Sequence, residues 1–207
     1  MKNFLAIDTS NETLTVLAAK NGRVFSSFVP DCAMKHSVRL MGEIDALLKE
    51  ADLRLEDCDF FCAVVGPGSF TGIRIGVSAA KGFCLACGKP SIAVTSFELS
   101  AYNAVEEKAL CLVDAMHNSY YACGYDKGVE TVAPCYLTEE EVLAYAAQGY
   151  ALYATSPVAV FERAAGTVVS ACEGLKKAAL DKSKKGEFSP LSALYVRKSS
   201  AEMNLKK

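Results

Sequence analysis

Gly66-Pro67-Gly68-Ser69-Phe70-Thr71-Gly72-Ile73-Arg74-Ile75-Gly76 follows the apolar run Phe60-Phe61-Cys62-Ala63-Val64-Val65 and leads into Val77-Ser78-Ala79-Ala80-Lys81-Gly82-Phe83. The order is strand, glycine loop, helix. A β-branched and aromatic run that stops at Gly-Pro is a buried strand end, and the segment beyond it is too long and too rich in Ala to be another strand. Gly66, Gly68 and Gly72 let backbone approach backbone, or a ligand, where any Cβ would collide. On one reading the N–H groups at the helix start, with the Ser69 and Thr71 hydroxyls beside them, form an anion site. On the other, the loop is a tight turn that binds nothing. The pattern is neither Gly-x-x-x-x-Gly-Lys-Ser/Thr nor a clean Gly-x-Gly-x-x-Gly, so the loop alone leaves both readings open.

Upstream, Phe4-Leu5-Ala6-Ile7 is a first strand ending at Asp8-Thr9-Ser10. Thr13 to Lys20 and Arg23 to Val29 are two more, joined by Asn21-Gly22, a strong hairpin signal. The Asp-Thr-Ser corner puts Asp8 and Ser10 at a strand end, where short oxygen-bearing side chains could face a metal-bound phosphate. Asp8 as a plain turn former bonding the next amides is the alternative.

His36-Ser37 opens a helix through Ala51 with Leu40, Met41, Ile44, Leu47, Leu48 and Ala51 at helical spacing, an amphipathic helix lying on a sheet. The helix after the glycine loop differs. Its only polar stripe is Arg74, Ser78 and Lys81, and one sheet face cannot bury the rest of its circumference. Gly72, Gly76 and Ala80 recur at i+4, which suits the approach of a second helix, from another chain or from the chain's own first helix.

A strand at Ser91 to Val94 and a capping box at Thr95-Ser96-Phe97-Glu98 follow. Then Ala109-Leu110-Cys111-Leu112-Val113-Asp114 is again an apolar strand ending in Asp, with Ser119 to Asp126, Lys127-Gly128 and Val129 to Val132 after it. Asp8 to Gly22 and Asp114 to Gly128 have the same separation, which predicts a structural duplication. The second copy has a capped helix at Thr138-Glu139-Glu140-Glu141 and a strand at Ala151 to Ala154, but Thr155-Ser156-Pro157-Val158 offers no glycine cradle. The expected division is a first lobe over 1–104 and a smaller, degenerate one over 105–207.

At 207 residues the chain is long enough for two small lobes with a core. A formal charge of −2 argues against a dedicated nucleic-acid binder. The basic segment from Lys176 to Lys185, with Lys206-Lys207 at the end, reads as a solvated helix end or, less simply, an RNA backbone contact. No stretch is expected to stay apolar for the length of a membrane span, which suggests a cytoplasmic chain with no membrane partner. The 9 cysteines are scattered through apolar runs and read as buried hydrophobes. Cys84 and Cys87 lie late in their helix, where the dipole disfavours thiolate. His36 and His117 are the only histidines, so no multi-histidine metal site is expected within one chain.

Asp8-Thr9-Ser10, His36-Ser37, the Gly66 to Gly76 stretch and the late Leu194-Tyr195-Val196-Arg197, in this order and at this length, resemble the TsaB (YeaZ) family. The resemblance implies an α/β, actin-like, sugar-kinase-type (ASKHA, ribonuclease H-like) fold of two related lobes, with mixed sheets flanked by helices. It also implies a part in making threonylcarbamoyl-adenosine beside the tRNA anticodon, as a non-catalytic partner. Such a chain dimerises alone, pairs through its first-lobe helices with the paralogue TsaD, is joined by the ATPase TsaE and meets tRNA through the complex. Those helices put Met41, Ile44, Arg74, Ile75, Gly76, Ala79, Ala80 and Phe83 at the pairing face.

The catalytic paralogue holds its metal on a His-x-x-x-His helix; the matching stretch here is His36-Ser37-Val38-Arg39-Leu40, and leucine ligates no metal. The resemblance therefore implies no catalytic residue and no required cofactor. Asp8, Ser10, Gly66, Gly68, Ser69, Thr71 and Gly72 are left as a vestigial phosphate site for weak or shared ATP or ADP. Where the family commonly has Asp-Ala-Arg, this chain has Asp114-Ala115-Met116. The competing expectation is a small-molecule kinase or ATPase working through Asp8 and the loop. Peptidase chemistry finds no Gly-x-Ser-x-Gly elbow, no His-Glu-x-x-His helix and no Cys–His pair.

Overall fold

Two hairpin turns set the frame of the computed structural model, which describes residues 2–197. Asn21 and Gly22 (φ 51° and 86°) and Lys127 and Gly128 (φ 51° and 77°) place both central residues in the left-handed region, the twist that suits two-residue hairpins. Around the first turn run β1 (Phe4–Asp8), β2 (Leu14–Lys20) and β3 (Arg23–Val29), then α1 (His36–Glu50), β4 (Phe60–Val64), α2 (Phe70–Cys87), β5 (Ser91–Val94) and α3 (Ser96–Ala101). The second turn organises β6 (Lys108–Asp114), β7 (Ser119–Asp126), β8 (Val129–Thr138), α4 (Glu139–Ala147), β9 (Ala151–Ala154), β10 (Gly166–Val168) and α5 (Ala171–Lys185).

The sheets are ordered β3-β2-β1-β4-β5 and β8-β7-β6-β9-β10. Element for element the order is the same, and β1 pairs antiparallel with β2 and parallel with β4 as β6 does with β7 and β9. The two lobes are therefore related, as the repeated spacing predicts. A 3-10 turn at Ala159–Glu162 stands where the first lobe has α2. Both predicted capping boxes form, Thr95 with Glu98 and Thr138 with Glu141.

Alternation along the strands builds five layers. Leu5, Ile7, Val16 and Phe61 face α1 and α2. Phe4, Ala6, Leu17, Phe60 and Cys62 face the opposite way, onto Leu99 of α3 and Leu175, Ala178 and Ala179 of α5. Phe97 of α3 packs with Ala109, Cys111 and Tyr153 on the inner face of the second sheet, whose outer face, with Leu110, Leu112 and Tyr120, is covered by Val142 of α4. The middle layer is thus an exchange. The last helix of each lobe packs on the sheet of the other, and the Glu98–Lys182 ion pair (2.6 Å) and the Tyr102 hydroxyl on Asp181 (2.8 Å) tie the two together.

α5 lies within 105–207 but belongs to the core of the first sheet, because its apolar face matches Phe4 and Phe60 there. In the basic segment Lys176 pairs with Glu173, Lys182 with Glu98 and Lys185 with Asp181, while Lys177 donates to the Asn103 side-chain oxygen. Lys206 and Lys207 lie outside the described residues. The expectation about apolar length also changes: α2 is long and apolar enough to cross a membrane by length and composition, and its packing on β1 and β4 accounts for part of that character.

The helix exchange depends on Gly174, where a Cβ would land on the Leu99 carbonyl of α3. Gly174→Ala, although favourable for an isolated helix, is expected to lower the unfolding free energy by about 1 to 3 kcal/mol, read by chemical denaturation.

Candidate functional site

The glycine loop closes on the Asp8-Thr9-Ser10 corner, and backbone meets backbone there. The Ser69 amide donates to the Ser10 carbonyl (2.7 Å). A Cβ at Gly68 would collide with that carbonyl, and one at Gly72 with the carbonyl of Thr9. The Thr9 hydroxyl completes the joint, donating to the Gly72 carbonyl (2.7 Å) and accepting from the Gly76 amide (3.1 Å). Ser69 caps α2, its Oγ accepting from the Gly72 amide (3.2 Å). From the start of α3, Ser96 donates its hydroxyl to the Pro67 carbonyl (2.6 Å) and its amide to the Gly66 carbonyl (2.8 Å). Thr71, at the first turn of α2, is exposed and outside this network.

Asp8 is sealed beneath the joint at 1% exposure. Its Oδ1 accepts from the Ser10 amide (2.8 Å) and hydroxyl (2.7 Å), while Oδ2 has no hydrogen-bond partner. Burial pushes its carboxyl up from the ordinary value, and the Ser10 hydrogen bonds and the nearby His36 only partly oppose that. The structure therefore brings Asp8, Ser10, Gly66, Gly68, Ser69 and Gly72 together but presses them on one another. The amides of Ser69 and Gly72 are taken by Ser10 and Ser69 oxygens. His36 is buried with Nε2 3.1 Å from the Thr13 carbonyl, and Leu40 lies in the core. Among the described residues no group of three or more His, Cys, Asp or Glu is placed to hold a metal ion. The Cys84 thiol is half-buried and pushed up by that burial, opposite to what thiolate chemistry requires.

The predicted pairing residues divide. Ile44, Gly76 and Ala80 are inside the first lobe, and Gly72 and Gly76 of the small-residue stripe seat α2 against Thr9 and Ile7 at the end of β1. Ile75, Ala79 and Phe83 are half-buried against the same core, with Phe83 5.6 Å from the Phe61 ring. Met41 and Arg74 are exposed. The outer surface of the α1/α2 layer carries the predicted Met41 (53% exposed) and two apolar residues that the sequence reading did not single out, Val38 (80%) and Leu85 (87%). Sequence reading also missed the joint's Thr9 and Ser96. Their signal was present, a threonine inside the Asp-Thr-Ser corner and a serine inside a capping box, but not the long-range partner of either.

A family model described as TsaD, tRNA N6-adenosine threonylcarbamoyltransferase, matches residues 18–184. The chain is 38% identical over 99 residues to the tRNA threonylcarbamoyladenosine biosynthesis protein TsaB of Bacillus subtilis (strain 168), covering 48% of this chain and 43% of that one. Its identity to the protein of that name from Escherichia coli (strain K12) is 31% over 127 residues, 59% and 54% of the two chains. The aligned stretch spans about half the length of these curated relatives. The solved structure of YeaZ from Pseudomonas aeruginosa superposes with a TM-score of 0.78 at 26% identity, covering 94% of this chain and all of that one.

Two five-stranded mixed sheets of one topology, flanked by helices and meeting in an exchanged middle layer, define an α/β protein of the actin-like, ribonuclease H-like (ASKHA) class. The chain belongs to the TsaB (YeaZ) family of tRNA threonylcarbamoyladenosine biosynthesis proteins, related to TsaD.

The buried Asp8 carboxylate has a stability consequence. Its folded-state pKa is raised, so the folded chain holds that proton more tightly than the unfolded one, and stability falls as pH rises from the ordinary carboxylate range to the raised value. Asp8→Asn keeps an oxygen for the Ser10 donors and removes the charge. It is expected to be more stable than the wild type at neutral pH and to flatten the loss of stability over that window, measured by denaturant titration across pH.

Proposed function

We propose that this chain is a non-catalytic partner that pairs with the threonylcarbamoyl-transferring paralogue TsaD in the cytoplasm, joined by the ATPase TsaE, and supports modification of the adenosine beside the tRNA anticodon. Alone it forms a homodimer, and it meets tRNA through the complex. The observation that carries this reading is the outer surface of α1 and α2, where Val38, Met41 and Leu85 stand exposed and only five of the 18 α2 residues are buried. A helix that apolar gains from a second protein surface laid over it. The chemistry around it agrees. His36 bonds a backbone carbonyl, Leu40 stands at the position a second histidine would need, and the Ser69 and Gly72 amides bond the chain's own oxygens. Turnover of ATP by this chain alone draws less support, since phosphoryl transfer needs charge positioned on both sides of a cleft and the second lobe has only a 3-10 turn in place of loop and helix. Bound ATP or ADP is accordingly not required for the role.

Val38→Glu, Met41→Glu and Leu85→Glu change exposed side chains, so each variant is expected to keep its circular dichroism spectrum and melting temperature. Affinity for the TsaD paralogue, measured by calorimetry, is expected to fall at least tenfold for one or more of them. Unchanged affinity for all three removes this face as the pairing surface.

In cells depleted of the protein, mass spectrometry of tRNA nucleosides is expected to show loss of threonylcarbamoyl-adenosine. Both the wild type and Asp8→Asn are expected to restore it. Rescue by the wild type alone makes the corner functional in its own right, and an unchanged nucleoside overturns the pathway assignment.

A further inference from the structure

Two sheets leave four edge strands, β3 and β5 in the first and β8 and β10 in the second, and three of these edges are blunted. On β5, Ser189 donates its amide to the Ser91 carbonyl (2.9 Å) and accepts on its hydroxyl from the Ala93 amide (3.2 Å). β10 is only 3 residues long. β8 carries Pro134, and its register against β7 shifts on both sides of Gly124, which turns an edge away from further pairing. β3 has none of these devices. Its 7 residues pair with β2 without a shift, from Arg23 opposite Lys20 to Val29 opposite Leu14, and include no Pro, Gly or Lys. Asn21-Gly22 makes a two-residue hairpin, so Lys20 and Arg23 exchange backbone bonds and alternate residues from Arg23 onward face β2. Val24, Ser26 and Phe28 therefore turn their N–H and C=O groups outward, and among the described residues no loop bonds to those groups.

We infer that the outer edge of β3 receives a second copy of this chain, the two β3 strands pairing antiparallel about a two-fold axis at Ser26 and joining the first sheets of both copies into one. The inference rests on the homodimer of the proposed function and gives it a surface. A two-fold axis perpendicular to the sheet keeps like faces together, so even-numbered residues pair only with even-numbered ones. With Ser26 opposite Ser26 of the second copy, Val24 meets Phe28 and Phe28 meets Val24, and every outward N–H and C=O of the three residues finds a partner. The adjoining registers are poorer. One sets Pro30, which has no N–H, against Val24, and the other sets Gly22 of the turn against Phe28. The side chains agree with the backbone. Val24 packs on the core that α5 covers, and Phe28 (56% exposed), four residues on, shares its face, so opposing the two lays apolar surface over the open ring. Charge agrees as well. Arg23 faces Val29 of the second copy, two positions from Asp31 there, and both charged residues are exposed.

The test is sedimentation equilibrium and amide exchange on the full chain, with Ser26→Pro and Phe28→Lys as edge variants and Val129→Lys, on the blunted β8 edge, as control. The Ser26 N–H points away from β2, so proline there takes no bond from the sheet, and circular dichroism is expected to match the wild type. Self-association is expected to weaken at least tenfold in both edge variants and to be unchanged in Val129→Lys. As the wild-type concentration rises, exchange at Val24, Ser26 and Phe28 is expected to slow at least tenfold, while Phe25 and Ser27, already bonded to β2, change little. A dimer that survives both edge variants, or that protects none of the three outward amides, overturns the edge and leaves the homodimer standing. A wild type that stays monomeric at every concentration overturns the homodimer and the edge together. If Ser26→Pro loses its fold, Phe28→Lys and the exchange pattern decide.

Discussion

The fold hangs on one backbone-to-backbone contact, the seating of Gly68 and Gly72 on the carbonyls of Ser10 and Thr9. Five hydrogen bonds surround it: Ser69 amide to Ser10, the two made by the Thr9 hydroxyl, and the two from Ser96 to Pro67 and Gly66. Each is worth about 1 kcal/mol net, but their geometry counts for more than their sum. They fix where β1 ends, where α2 begins and where α3 begins, three elements distant in sequence. A loop of this composition on an exposed strand end would present its amides to an anion. Here oxygens of Ser10 and Ser69 accept from the Ser69 and Gly72 amides, so the loop stabilises the lobe.

Asp8 is the cost of that arrangement. A carboxylate with one unpartnered buried oxygen weakens the fold wherever it is ionised. Its Oδ1 does shape the corner by holding both Ser10 donors, a task that a neutral amide oxygen could also perform.

The elements that were legible in the sequence are those whose cause is local. Asn21-Gly22, both Thr-x-x-Glu boxes and the strand–loop–helix order around Gly66 follow from turn, capping and period rules within a few residues. What was illegible depends on long-range partners. Periodicity shows that Gly72, Gly76 and Ala80 form a small-residue stripe, but not that Thr9 and Ile7 fill the space over it. Ile44 repeats at helical spacing beside Met41, and only the placement of the sheet sends one inside and the other out. α5 reads as the end of the second lobe because it follows β10 in the chain. Its crossing to Phe4 and Phe60 is set by the helix exchange with α3, which no local pattern carries.

That exchange also governs how the two lobes can behave. In a protein built of two self-contained lobes, each sheet would keep its own helices and the cleft could open on a simple hinge. Here α3 packs Phe97 on the second sheet and Leu99 on the first, and α5 packs on the first, with Leu99 against Gly174 at their crossing, so wide separation would strip both sheets of an inner cover. The outer α1/α2 layer is free of this constraint. Its inner residues, Ile73, Gly76, Val77 and Ala80, are fixed on the sheet, and its outer apolar residues take no part in holding the lobes together. A partner can therefore cover that layer without disturbing the closed core beneath it, and the fold separates a rigid interior from a surface suited to association.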